Sequence, residues 1–159
     1  METENSRPLS QAELVAWRLA GRLPHIDING SDFTIDLRLQ ELRETESPWN
    51  RLDISELETS MEVDCLLFFY DTKQHRIYEL DDDLTELPEN VVLVELPDEL
   101  TLDPVAAARS VGYSDDRFLD EYPIQENLKA GIKNLSETFL PDFIRENLEK
   151  QNNHRQPGR

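Results

Sequence analysis

Apolar residues recur along this chain in two rhythms, every three to four positions and every second position. The switches between them divide it into helix, sheet and helices. Between Ser10 and Arg22 the spacing of Ala12, Val15, Leu19 and Leu23 predicts a helix. Ser10 is placed to cap it, Glu13 to complete a capping box, and Gly21 and Pro24 to end it. From His25 to Leu37 the rhythm becomes two: Ile26 and Ile28, then Phe33, Ile35 and Leu37, with Asn29-Gly30 between them. Asn-Gly tolerates positive φ at both positions, so the pattern predicts a β-hairpin. Residues 37–46 fit either more strand or a helix. Pro48 reads as the break of that element, Arg51–Ile54 as a short strand, and residues 53–64 as an acidic connection.

Cys65-Leu-Leu-Phe-Phe-Tyr70 is continuously apolar and reads as a buried strand, with residues 76–80 as its hairpin partner. Residues 81–90 form an acidic loop before a third strand at 91–96, closed by Pro97. Beyond Pro97 the pattern is helical. Asp103-Pro104 supplies a cap and a proline suited to the first helical position, and Gly112 a stop. Ser114 heads a second helix to about Tyr122, and Pro123 heads a third through Ile124, Leu128, Ile132 and Leu135. A fourth begins at Pro141 with Phe143, Ile144 and Leu148. The predicted fold class is α+β: an antiparallel β meander with an N-terminal helix and a C-terminal group of short helices. One domain is expected over residues 1–148, with 149–159 a disordered polar tail, since that stretch has no large apolar residue.

Composition leaves this architecture intact, with 38% apolar residues enough for a core. Charge adds something the pattern does not contain. Lys and Arg total 16 against 34 Asp and Glu, a net −18 over 159 residues. The excess is uneven: −4 over residues 1–50, −12 over 51–100 and −2 over 101–159. In an up-down-up meander the chain enters the first strand and leaves the second at the same end. That would gather Asp53, Glu56, Glu58, Glu62 and Asp64 with Glu79, Asp81, Asp82, Asp83, Glu86 and Glu89 into one acidic pole. Neither segment contains Lys or Arg.

Such a surface repels a phosphate backbone or an anionic membrane and attracts a basic protein or a cation. The longest clearly apolar run, Cys65–Tyr70, is far short of the ~20 residues of a membrane helix. A single cysteine forms no internal disulfide, so a cytoplasmic location is the simplest expectation. Counted as a calcium loop from Asp81, the sixth and twelfth positions are Glu86 and Val92 instead of glycine and a carboxylate. No phosphate-cradling glycine loop, nucleophile elbow or H-E-x-x-H occurs. His25 and Asp27 share a strand face, and a thiol–imidazole pair would use Cys65 with His25 or His75, although the apolar neighbours of Cys65 suggest a buried, inert thiol. Ala108, Gly112 and Phe118 loosely resemble helix-turn-helix spacing, but the second helix would present Asp115, Asp116, Asp120 and Glu121 to DNA, with Arg117 its only base.

The expectation is a small non-catalytic module, without metal or cofactor, docking through the eleven-carboxylate pole on a basic partner and binding neither nucleic acid nor membrane directly. Two other readings use the same acids. One is a DNA mimic that inhibits a nucleic-acid-binding protein. The other is a divalent-metal-dependent hydrolase or transferase.

Overall fold

A computed structural model describes residues 8–55, 57–60 and 65–155. In chain order these form α1 (Gln11–Leu19), β1 (His25–Ile28), β2 (Ser31–Asp36), β3 (Glu41–Glu44), β4 (Ser47–Asp53), β5 (Glu58–Ser60), β6 (Cys65–Asp71), β7 (Arg76–Ile77) and β8 (Val91–Pro97). Then follow α2 (Glu99–Leu102), α3 (Pro104–Ser110), β9 (Leu128–Lys129), β10 (Gly131–Asn134), a single 3-10 turn at Leu135–Glu137, and α4 (Leu140–Arg155). The protein is α+β, with an N-terminal helix, antiparallel-rich sheets and short C-terminal helices. The chain gathers into two compact units: Met1–Glu56 with Pro97–Lys129, and Leu57–Leu96 with Ala130–Arg159.

In the first unit, α1 starts on the predicted capping box. The Glu13 amide donates to Ser10 Oγ at 3.2 Å and the Ser10 amide to Glu13 Oε1 at 2.8 Å, satisfying two otherwise orphaned donors. Asn29 (φ 52°) and Gly30 (φ 94°) turn β1 into β2 as a two-residue hairpin, pairing Ile28 with Ser31. The sheet order is β4-β3-β2-β1-β9, so the antiparallel meander runs through residues 25–53. Alternation buries Ile26, Ile28, Phe33, Ile35, Leu42 and Leu52. Pro48 does not interrupt this sheet. It lies in β4, the edge strand, where a missing amide hydrogen is tolerated. α3 begins at Pro104 on the Asp103 cap, as predicted, and Gly112 follows its end at φ 82°.

Asp36, buried at the end of β2, accepts from Arg43 Nη1 at 2.9 Å, and the same nitrogen reaches Glu41 at 2.8 Å. Burial pushes the Asp36 carboxyl up. Hydrogen bonds from Arg43 and the Leu39 amide, with the charges of Arg43 and Arg38, outweigh it and hold the group below its ordinary value of 3.8. A depressed folded value gives stability that is present above the ordinary value and lost as pH falls through the folded one. Asp36→Asn is therefore expected to cost about 1 kcal/mol near neutrality. Its deficit in melting temperature relative to the parent should shrink between pH 6 and pH 3; a constant deficit would show that the carboxylate charge is not the source.

The second unit has a sheet ordered β10-β8-β6-β5, with β7 also paired to β6. β6 and β7 form the predicted hairpin, Tyr70 opposite Ile77. The third strand lies beside β6 rather than β7, so residues 65–96 do not run up-down-up in spatial order. Residues 124–135 are not a helix. Asn127 takes a left-handed φ of 56°, β9 pairs parallel with β1, and β10 pairs antiparallel with β8. A spacing of four is an even number, so Ile124, Leu128 and Ile132 satisfy a strand's period as well as a helix's, and sheet pairing decides between them. Residues 114–122 form turns, so the helix-turn-helix spacing acquires no second helix. α4 continues through Glu149–Arg155, where composition predicts a polar tail.

Candidate functional site

The 79–89 segment is shaped by its few non-acidic residues. The preceding turn is set by Asp71, whose Oδ1 accepts from the amides of Lys73 (2.8 Å) and Gln74 (2.9 Å), with His75 at φ 56°. The Tyr78 amide still donates to Phe69 O, and then the chain leaves the sheet. Asp81 folds the next turn: its Oδ1 accepts from the Asp83 amide at 3.0 Å, and its carbonyl from the Leu84 amide at 3.1 Å. Leu80 and Leu84 tuck against a core of Val91, Leu135 and Leu140, joined by Phe69, Tyr78 and Phe143. Asn147 of α4, 8% exposed, donates its amide to Asp82 O (3.1 Å) and Leu84 O (2.8 Å). The far end closes where the Thr72 amide and hydroxyl both donate to Asn90 O.

The segment is thus an anchored loop with an inner apolar side and an outer acidic one. Glu79, Asp81, Asp82, Asp83, Glu86 and Glu89 are all exposed. Lys150 of α4 lies with Asp83 beside a depression of about 220 Å³.

Of the eleven carboxylates proposed for the pole, these six share one loop. Asp53 does not join them: it ends β4 in the first unit, where its Oδ1 accepts from the hydroxyl (2.7 Å) and amide (3.0 Å) of Ser55, which hold its pKa below the ordinary value. Glu58 lies in β5 opposite Leu67, and its side chain is outside the described residues, as are Glu56, Glu62 and Asp64. The charge concentration along the sequence also spreads in space. The first unit carries 9 Lys and Arg against 19 Asp and Glu, the second 7 against 15.

The other chemical candidates resolve differently. His25 approaches Asp32 through Nδ1, not Asp27, because Asp32 lies on the neighbouring strand, where Thr45 also donates to its carboxylate. Asp27 instead accepts the Gly30 amide at 3.4 Å, as a turn residue. Cys65 starts β6 while His75 follows its far end, a separation of ~20 Å at ~3.3 Å per strand residue. His25 belongs to the other unit. Among the described residues no three His, Cys, Asp or Glu side chains are grouped so as to hold a metal ion.

The least expected polar feature lies in the first unit. Arg18 of α1, 8% exposed, meets Asp103, 1% exposed, through Nε at 3.0 and 3.1 Å and Nη2 at 2.9 Å. Local sequence held half a signal, since Asp103 was legible as a cap. Arg18 lies at helical spacing on α1 but 85 positions away, and its partner is set by the tertiary fold.

The class so defined is an α+β protein of two compact units, with an anchored acidic loop on the second. No protein-family model, no curated protein and no solved structure matches the chain. No helix among the described residues is long and apolar enough to cross a membrane.

Proposed function

We propose that the protein is a non-catalytic binding module whose 79–89 loop docks on a basic surface of a partner protein. The observation that carries this reading is the two-sided loop. Six exposed carboxylates project from a backbone held by Leu80, Leu84 and Asn147, with no Lys or Arg in the segment. A floppy acidic run would lose conformational entropy on docking, whereas an anchored one has lost most of it on folding. Single-sign charge on such a loop accelerates encounter with a basic patch and weakens with salt.

The test is affinity capture from the native cell with the parent chain and with Asp81→Asn, Asp82→Asn and Asp83→Asn combined. Asparagine keeps the Oδ1 acceptor that forms the Asp81 turn, so the change removes charge and spares the loop. The captured partner should bind roughly tenfold more weakly to the triple variant, with a shallower salt dependence. Retention at equal strength with unchanged salt dependence would refute the docking role.

A further inference from the structure

The first unit contains a cleft of about 690 Å³, within the ~300–1,000 Å³ usual for small-ligand sites. Leu23, Leu37 and Ala106 give it an apolar lining, and Arg18, Arg38, Arg109, Asp36 and Glu99 contribute charge.

A guanidinium has five N–H donors. Asp103 uses Arg18 Nε and one hydrogen on Nη2, leaving three without an acceptor among the described residues, on a side chain only 9% exposed. Nη1, which carries two of them, keeps some solvent access, so water satisfies it until a ligand takes that place. An acceptor entering the cleft meets a preorganised fork whose ordering cost is borne by the Asp103 pair.

Charge accounting narrows the acceptor. Asp103 neutralises Arg18, Asp115 pairs with Arg109 at the cleft, and Arg43 is shared between Asp36 and Glu41, which Arg51 also approaches at 3.9 Å. Arg38 makes no ion pair or hydrogen bond among the described residues; its charge acts on Asp36 only through space, so its guanidinium donors stay open to an acceptor in the cleft. Glu99, exposed and without an ion pair or hydrogen bond among the described residues, offsets the Arg38 charge, so a ligand with two negative charges is disfavoured. From these residues we infer that the cleft binds a small organic monocarboxylate, its carboxylate against Arg18 and Arg38 and its hydrocarbon body on Leu23, Leu37 and Ala106.

The test is an amide and arginine side-chain NMR titration of the full chain with sodium hexanoate, 1-hexanol and hexyl phosphate. It is repeated on Arg38→Gln, an exposed position whose change leaves the Arg18–Asp103 pair in place. Hexanoate should give saturable shifts confined to residues 37–40, 106–110 and the Arg18 Nε–H. It should bind at least tenfold tighter than 1-hexanol and lose about tenfold in Arg38→Gln. Four results would each overturn the assignment: no saturable shift, equal binding of 1-hexanol, tighter binding of hexyl phosphate, or an unchanged titration in Arg38→Gln.

Discussion

Replacing Arg18 with Met while Asp103 stays in place is expected to cost about 3–5 kcal/mol, the usual penalty for leaving one member of a buried ion pair alone. For a chain of this length that is a fall of roughly 10 °C or more in melting temperature. Asp103 is 1% exposed, so Arg18 supplies most of the compensation for its charge in the parent chain. Its carboxylate also accepts the Ala106 amide at 3.2 Å as the cap of α3, so it cannot leave without unmaking a helix end. The combined Arg18→Met and Asp103→Asn change separates the two roles: asparagine keeps a capping oxygen, and no charge remains buried. Thermal and urea melts should show the double variant recovering at least half of the single variant's loss. A double variant no more stable than Arg18→Met would mean that lost packing of the arginine stem, and not the stranded charge, sets the cost.

That ion pair marks the boundary of what the sequence made legible. Elements carried by local chemistry were readable: the Ser10–Glu13 capping box, the Asn29-Gly30 turn, the Asp103-Pro104 helix start and the apolar strand at Cys65–Tyr70. Each is decided by residues within a few positions of one another. Elements decided by a distant partner were not. Leu128 joins Ile26 across about a hundred residues, and β10 finds β8, in a stretch whose spacing of four suits either periodicity. Pro48 reads as a break until β4 is known to be an edge strand. At the candidate surface, the acid run 79–89 was visible as composition. Its anchoring was not, because Asn147 reaches Asp82 and Leu84 from 65 and 63 positions away. The placement of Asp53 failed for a related reason: an up-down-up meander entered through residues 53–64 put it beside the 79–89 segment, whereas its strand pairs with β3 in the first unit.

The anchoring makes a second strong prediction, linking the core of the second unit to the proposed docking without touching a charge. Leu140 is fully buried at the start of α4, in the cluster against which Leu80 and Leu84 pack. Leu140→Ala removes buried methyl groups and leaves a cavity, at an expected cost of about 2–5 kcal/mol. The two loop leucines then lose part of the surface that holds them, so loosening should concentrate at the loop. Hydrogen exchange should accelerate at the Asp83 and Leu84 amides, whose acceptors both belong to Asp81. At a temperature where the variant remains folded, the captured basic partner should bind more weakly even though all six carboxylates are intact, because part of the ordering cost returns to the binding step. The salt dependence should stay that of the parent, since the charges are unchanged. A Leu140→Ala protein that is destabilised, exchanges faster at Asp83 and Leu84, and yet binds at full strength would show that charge alone drives docking, and that the anchored geometry of the loop serves only the fold.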